Sequence, residues 1–451
     1  MEMIPSTHTR SRQFQLRRGM NLRIPGAAAP SPSTATLVPA TVRTVALLGA
    51  DFPGIRPALE VAVGDHVTLG QPLLHDRHDP ALRFTSPGTG VISSITFGDR
   101  RALQSIVVRL EDEAPSQRVT EPLDPATTTS TLIRERLQAA GLWTAFRTRP
   151  FSRVPASGDT PDAIFITAID TAPLANDPRT VIARNPGAFR AGIIGLTRLM
   201  TGTVYVCRAP GEPLPLPDSP QLVDAVFSGP HPAGLPGTHI HHLRPASAWR
   251  TVWHLGYQDV VAIGELLTTG VLDLTRVVAL TGVVDTPRLF ATRLGTSIAD
   301  LYTTTDPALR ILSGDPLTGR EVRGGDAWLG RYHQQITVLR EPDGESGAFR
   351  WLRRALAAVS PRTTRGVPTT RVFGRTTGML PVDSFERLLP LDLLPSPLLR
   401  ALLLKDTQTA VDLGCLELAE EDLALCSYIC PARQDYGAAL RATLDDYRRN
   451  G

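Results

Sequence analysis

The chain has 451 residues, of which 42% are hydrophobic and 20% are charged, and its formal net charge is +3. This length and composition predict a globular protein of two to four domains, and the near balance of charge argues against nucleic acid as a partner. No run of 18 or more apolar residues occurs, and the first residues lack an apolar signal-peptide core, so we expect a cytoplasmic protein without a transmembrane segment.

The first quarter of the chain predicts a disordered tail over residues 1–14 and an all-β domain over 15–112. Two stretches, VAVGDHVTLGQPLL and FTSPGTGVISSI, combine short strands with Gly and Pro turns and resemble the flattened β-barrel of biotinyl and lipoyl carriers. Such carriers present a lysine on a hairpin, here HDRHDPALR, which has none. Because Lys405 is the one lysine of the chain, we expect a barrel without a covalent prosthetic group.

Three further units follow a Pro- and Thr-rich linker. Strand and helix patterns alternate over residues 130–256, which predicts a parallel, doubly wound, Rossmann-like domain. Residues 257–345 predict a small mixed unit, and residues 378–451 have helical periodicity. The predicted fold class is therefore multidomain, with α+β and α/β parts. Neither G-x-G-x-x-G nor G-x4-G-K-[ST] is present, so no loop of this chain is predicted to hold a dinucleotide pyrophosphate.

The stretch GLWTAFRTRPFSRVPA, residues 141–156, is the strongest candidate for a ligand site. Its large aromatic side chains could stack on a planar ring and its arginines could donate hydrogen bonds to carbonyl oxygens, as a quinone requires. The alternative is a helix end that packs its aromatic residues into a domain interface. The candidate quinone-binding residues are Trp143, Phe146, Arg147, Arg149 and Phe151.

The histidine-rich stretch GPHPAGLPGTHIHH offers His231, His239, His241 and His242 as zinc ligands. It lacks the H-E-x-x-H and paired C-x2-C spacings of zinc sites, and the alternation of His239 with His241 predicts a strand instead. We therefore favour a Gly/Pro loop that leads into a strand over a metal site.

The segment LCSYICP ends like a bacterial four-iron cluster motif but lacks its beginning. The nearest upstream thiol makes the spacing C-x10-C-x3-C-P, which is not a four-cysteine ferredoxin run. Cys415, Cys426 and Cys430 are therefore expected to hold no metal, and Cys207 falls in another predicted domain.

Several long strings resemble one family. VALLGADFPGIRP, GLWTAFRTRPFS, HPAGLPGTHIH, TVWHLGYQDVVAIG and LGCLELAEEDLALCSYICPARQDYG are similar to the A subunits of the bacterial Na(+)-translocating NADH:quinone reductases. The resemblance runs from about Gln15 to the C-terminus. It implies that residues 257–345 form a ubiquitin-like, SLBB-type unit, and that the three C-terminal cysteines are a vestigial iron–sulfur motif.

The resemblance also implies a setting. Such a complex has six subunits and uses FAD, FMN, riboflavin and iron–sulfur centres to pass electrons from NADH to ubiquinone while exporting Na+. The A subunit is implied to bind no cofactor of its own and to be peripheral, on the cytoplasmic side of the inner membrane. Its implied partners are ubiquinone and the other five subunits, termed B to F, especially the B subunit in the membrane.

Three functions remain open on the sequence alone. The chain could contribute to the quinone site of the complex, or it could be a pure scaffold in the same complex, with residues 388–404 as a docking surface. It could also be a flavin- and NADH-binding subunit of the Rnf or complex I type, against which the absence of a Gly-rich loop argues.

Overall fold

Two short N-terminal strands belong to sheets that are completed far along the chain. The computed structural model describes residues 9–28, 36–111, 116–322, 327–341, 370–371 and 384–450. Strand β1 (Arg10–Gln15) and strand β2 (Leu37–Pro39) each add one edge to a later sheet. We expected residues 1–14 to be disordered. This is wrong for residues 10–14, because β1 forms a parallel ladder and Phe14 stacks on Phe227 with ring centroids 4.7 Å apart. Residues 1–8 lie outside the described residues.

A β-domain of two facing sheets follows, as expected for a flattened barrel. Its inward side chains, among them Leu73, Phe84 and Ile106, are fully buried. The hairpin that carries the lysine in carrier proteins has Arg77 and His78 at its tip, between β6 and β7. The strands of this region are β3 (Thr44–Leu48), β4 (Pro57–Leu59), β5 (His66–Val67), β6 (Pro72–Asp76), β7 (Asp79–Thr85), β8 (Gly90–Phe97), β9 (Leu103–Leu110) and β10 (Ser116–Arg118).

The next domain is a mainly parallel six-stranded sheet with helices on both faces. Its strand order is β1-β14-β13-β12-β15-β11, in which only β11 is antiparallel to its neighbour. Its elements are α1 (Ser130–Ala139), β11 (Arg147–Arg149), β12 (Ala163–Ala168), α2 (Arg179–Ile182), α3 (Pro186–Leu199), β13 (Thr203–Arg208), β14 (Leu222–Ser228), α4 (Pro236–Leu243), β15 (Val252–Gly256) and α5 (Tyr257–Thr269).

The alternation of apolar side chains along the strands explains the two covered faces. Ile164 and Ile166 pack towards α3 and α5, whereas Phe165 between them packs towards α4. Helices α3 and α5 approach closely at Gly264, where an added Cβ would lie 1.8 Å from the carbonyl oxygen of Ala188. We expected α5 in the following domain, 257–345. It belongs instead to this domain, because its apolar face packs on α3 and on the sheet.

The third region is a mixed sheet of six strands in the order β2-β18-β17-β21-β19-β20. The hairpin β17–β18 is antiparallel, and β21 returns in parallel beside β17. Its core contains Val278, Ile336 and Val338, all fully buried. The strands are β16 (Val271–Asp273), which pairs with β10, then β17 (Thr275–Gly282), β18 (Arg288–Arg293), β19 (Leu309–Ser313), β20 (Arg320–Glu321) and β21 (Gln335–Arg340).

The described part of the C-terminal region, 384–450, is built of helices around their own apolar cluster. Residues 378–383 and 451 of the predicted helical domain lie outside the described residues. Cys415, Cys426 and Cys430 are buried in this cluster beside Tyr436 and Phe385. The helices are α6 (Pro395–Leu404), α7 (Thr407–Asp412), α8 (Ala424–Ile429) and α9 (Tyr436–Asn450).

Candidate functional site

A large cleft opens where the order of the parallel sheet reverses. From β12 the chain steps outward through β13 to β14 and then returns to the other side of β12 as β15. In such sheets the crevice beyond the carboxyl ends of the two diverging strands is the preferred place for a ligand. Ile169 and Asp170 follow β12 and Tyr257 follows β15, and all three line this cleft.

The cleft has a volume of about 700 Å³, and every region of the chain contributes to its walls. We call it the switch-point cleft. This volume is sufficient for a small organic ligand. The β-domain supplies Asp51, the α/β domain Arg147 and His254, the third region Arg331, Tyr332 and His333, and the C-terminal helical region Glu421 and Arg441.

Two of the predicted quinone-binding residues, Trp143 and Phe146, do not line the cleft. The rings of Trp143 and Phe146 are fully buried, and each lies 5.3 Å from the ring centroid of Trp253. The indole N–H of Trp143 donates to the carbonyl oxygen of Pro155 at 3.0 Å. Trp143 and Phe146 therefore pack the core, as in the alternative interpretation of this stretch.

Arg147 is the one of the five predicted residues that lines the switch-point cleft. Its guanidinium carbon lies 4.9 Å from the ring centroid of Tyr332, and its nearest carboxylate, that of Glu421, is 3.7 Å away. Burial disfavours its positive charge, but Glu421 and neighbouring acids hold the pKa of Arg147 above its ordinary value. Arg147 thus keeps a permanent charge and spare N–H donors beside the cleft.

Arg149 and Phe151 join the C-terminal region to the α/β domain. Fully buried, Arg149 donates to Glu421 at 2.8 Å through Nη2 and meets His254 Nε2 at 2.9 Å through Nη1. Burial, together with the charges of Arg149 and Arg147, keeps the pKa of His254 well below its ordinary value. Phe151 packs on the C-terminal cluster, and its carbonyl oxygen accepts from Arg441 at 2.8 Å. Neither Arg149 nor Phe151 lines the switch-point cleft.

His333 is a residue of the cleft wall that is not among the predicted site residues. Its Nδ1 lies 2.8 Å from Ser313 Oγ, which already accepts the N–H of Gly330 at 2.9 Å. The hydroxyl of Ser313 keeps a proton that it can donate to Nδ1, and in this arrangement the imidazole carries its own proton on Nε2. Burial, with the charges of Arg320 and Arg147, lowers the pKa of His333 to about 3 and keeps the ring neutral. The surrounding letters RYHQQ contain no motif that would have singled it out.

The histidine-rich stretch forms helix α4 where we expected a strand. Pro236 at the first helical position and the buried Ile240 and Leu243 favour a helix that packs on the sheet. His239 Nε2 donates to the carbonyl oxygen of Ala233, and His242 Nδ1 to that of Thr238.

His241 is held by two partners. Its Nε2 accepts the N–H of Asp392 at 2.9 Å, so its Nδ1 carries the proton that is donated to Glu417 at 2.8 Å. Within the described ranges, no three His, Cys, Asp or Glu side chains are arranged to share a metal ion.

The three C-terminal cysteines are surrounded by apolar side chains. Burial raises the pKa of Cys415 to about 12 and raises that of Cys426 further, so both thiols are neutral at pH 7. The Sγ atom of Cys430 lies 3.5 Å from the hydroxyl of Tyr436. These thiols therefore contribute to packing in the described structure.

Over the described ranges, no helix is long and apolar enough to cross a bilayer.

Three family models match the chain. Residues 14–111 match the NqrA N-terminal barrel-sandwich hybrid domain, residues 128–272 the NqrA second alpha/beta domain, and residues 277–324 the NQRA C-terminal domain. The match to the NqrA second alpha/beta domain ends at residue 272, after α5, in agreement with the packing of this helix on α3.

Close relatives span nearly the whole chain. Proteins named as the A subunit of Na(+)-translocating NADH-quinone reductase from Pseudomonas aeruginosa PAO1 and Serratia proteamaculans are each 44% identical over 97% of this chain and 100% of their own length. The protein of the same name from Pasteurella multocida is 42% identical over 97% of this chain and 99% of its own.

Similarity to solved structures is weaker. An NAD+-reducing [NiFe]-hydrogenase chain in the air-oxidised state aligns with 73% of this chain and 69% of its own length, at 14% identity and a TM-score of 0.39. A chain of such a hydrogenase in the H2-reduced state aligns with 49% of this chain and 49% of its own, at 15% identity and a TM-score of 0.35.

Proposed function

Because this chain belongs to the family formed by the A subunits of Na(+)-translocating NADH-quinone reductases, we propose that it is the peripheral A subunit of such a complex and that quinone interacts with it in the switch-point cleft. The complex would reduce ubiquinone with electrons from NADH and export Na+. The chain would sit on the cytoplasmic side of the membrane, bound to the other five subunits and in particular to the B subunit in the membrane.

We also propose that this protein assists quinone chemistry without a redox cofactor of its own. The parallel strands β14-β13-β12-β15 have the order 3-2-1-4 that surrounds the switch point of a Rossmann-like sheet, which favours a ligand there. The turn after β12 lacks the closely spaced glycines that allow a backbone to approach a pyrophosphate. The C-terminal cysteines lie among apolar side chains, and their spacing C-x10-C-x3-C-P is not that of a four-cysteine cluster motif.

The observation that carries the quinone proposal is the pair Arg147 and His333 on the walls of one cleft. Both side chains line the switch-point cleft, and the charge of Arg147 is one of the causes of the low pKa of His333, after burial and Arg320. His333 Nε2–H has no hydrogen-bond partner among the described residues, and the donors of Arg147 are loosely engaged at 3.7 Å by Glu421. Two such donors suit the two carbonyl oxygens of a quinone ring, and the charge of Arg147 would stabilise the negative charge that develops on reduction.

The test uses Arg147→Gln and His333→Phe in the assembled complex, with Arg83→Gln on the exposed face of the β-domain as the matched control. Loss of one hydrogen bond to the ligand corresponds to about a tenfold loss of affinity. We expect each site variant to raise the KM for quinone about tenfold or more, while NADH oxidation with an artificial acceptor stays unchanged.

Wild-type quinone kinetics in both site variants would contradict the proposal and favour the scaffold function. A visible absorption spectrum of the purified chain tests the flavin- and NADH-binding alternative, because bound flavin or iron–sulfur would colour the protein.

A further inference from the structure

The segment from Arg10 to Arg23, RSRQFQLRRGMNLR, concentrates positive charge on one edge of the molecule. It contains five arginines and no acidic residue, so it carries +5 although the whole chain carries +3. All five arginines are exposed, and in the described part of the chain no salt bridge joins any of them to a carboxylate. We call it the basic segment. Other arginines of this chain, such as Arg149 and Arg276, are buried against acids.

The backbone of the basic segment is fixed at both ends. Its first part is β1, which forms a parallel ladder with β14. Farther on, the N–H of Gly19 donates to the carbonyl oxygen of Arg387 at 2.8 Å, and Met20 packs on the C-terminal apolar cluster. The arginine side chains are therefore presented from an ordered main chain, which lowers the entropy that binding must overcome.

An exposed leucine lies beside this segment. Arg18 Nη1 donates to the carbonyl oxygen of Leu391 at 3.4 Å, and three residues later the side chain of Leu394 is 61% exposed. Arg387 and Arg400 of the same region are also exposed, and Asp392 is the exposed carboxylate between them. The guanidinium group of Arg18 and the exposed side chain of Leu394 thus lie in the same part of the surface.

We propose that the basic segment and Leu394 dock on the headgroups of an anionic lipid bilayer. Four to eight basic residues in a cluster are typical of a surface that binds anionic lipid. Guanidinium groups bind phosphate oxygens in bidentate geometry, and an exposed leucine suits the boundary between headgroups and acyl chains. Arginines spread along 14 residues of chain match a plane of many equivalent phosphates better than they match one small acidic peptide.

The proposed function supplies the setting, because a peripheral subunit of a membrane complex lies near lipid. The lipid contact itself is tested on the isolated full-length chain and the quinone proposal on the assembled complex, so the two can fail separately.

The test is co-sedimentation of the purified chain with vesicles of phosphatidylcholine alone and with vesicles that also contain phosphatidylglycerol. We expect binding to the anionic vesicles, weakened by salt. The variant Arg17→Gln/Arg18→Gln should reduce it by about 30-fold, as expected for two basic residues near a charged surface. Arg77→Gln/Arg83→Gln, which removes the same charge from exposed positions of the β-domain, should leave binding unchanged.

Leu394→Ser tests the apolar contribution without disturbing the fold. Leu394 is the N-cap of α6, a position at which serine is preferred, so helix stability should be kept or improved. We expect weaker binding to anionic vesicles at high salt, where the apolar contact contributes most. Three results would overturn the proposal: no vesicle binding by the wild type, equal loss in the β-domain control, or binding of the basic segment to an acidic partner protein in place of lipid.

Discussion

At the residue scale, the stretch 141–156 shows that the type of a side chain does not determine the direction in which it points. The sequence indicates which side chains could stack on a quinone, but Trp143 and Phe146 point into the core and Arg147 alone of the five faces the cleft. The 3₁₀ turn Leu142–Ala145, which starts at Gly141 with a φ of +72°, decides this direction. Only glycine adopts such a backbone conformation without strain.

Trp143→Ala should destabilise the chain by about 3–5 kcal/mol, because it removes a fully buried ring. Trp143→Phe should cost less, since it keeps the apolar packing and loses the hydrogen bond to Pro155. The free energy of unfolding, measured by urea denaturation, checks both. Trp249 is 92% exposed, so Trp249→Ala is the control and should change stability by less than about 0.5 kcal/mol. Equal effects at the two positions would contradict the burial of Trp143.

At the element scale, one carboxylate fastens α5 to the third region. Asp259, in the first turn of α5, accepts from Arg276 of β17 at 2.6 Å and from Arg331 at 2.9 Å. Burial alone would raise the pKa of Asp259, but the two guanidinium groups hold it below its ordinary value. The buried triad therefore sets how the α/β domain meets the sheet of the third region.

Asp259→Asn should destabilise the chain by about 3–5 kcal/mol at pH 7, because it leaves two buried guanidinium groups without their carboxylate. The folded-state pKa of Asp259 is lowered, so its contribution is present above about pH 4, the unfolded value, and is lost as the pH falls through the folded value. Urea denaturation from pH 7 to pH 3 should show the variant and the wild type converging in acid. The exposed substitution Asp412→Asn is the control, and a pH-independent gap for Asp259→Asn would contradict this assignment.

The order and type of most elements could be predicted from the sequence, because apolar periodicity is a local signal. Helix α4 could not be predicted, because GTHIHH is too short for the spacing of its apolar residues to distinguish a helix from a strand. The domain to which α5 belongs is set by its packing against α3 at Gly264, and no local sequence pattern indicates this contact. His333 was missed for the same reason, because its role comes from Ser313 and Arg147, which are distant in sequence.

At the scale of the whole molecule, the switch-point cleft lies where four regions of the chain meet. Asp51, Asp170, Tyr332 and Glu421 come from different parts of the chain and line the same volume. A ligand that contacts walls from more than one region would bind only when those regions are assembled, so binding is coupled to the fold of the whole chain.

A water-soluble quinone at 100 times its dissociation constant should therefore stabilise the whole chain by about 2.7 kcal/mol. We expect one cooperative shift of the thermal unfolding transition, measured by circular dichroism, and its reduction to about 1.4 kcal/mol or less in Arg147→Gln at the same quinone concentration. An alkylbenzene of matched size without carbonyl groups is the control for unspecific apolar binding. An equal shift with this compound would contradict carbonyl recognition in the cleft.

The pairing of β1 with β14 also has a consequence for biosynthesis. Thr9 bonds to Asp218 at a sequence separation of 209 residues, so the N-terminal strand leaves the ribosome long before its partner exists. At about 5–20 residues per second, this delay is roughly 10–40 seconds. During that time the arginine-rich strand has no neighbour in its own nascent chain, and its charge keeps it soluble and deters premature β-pairing until translation delivers the rest of the sheet.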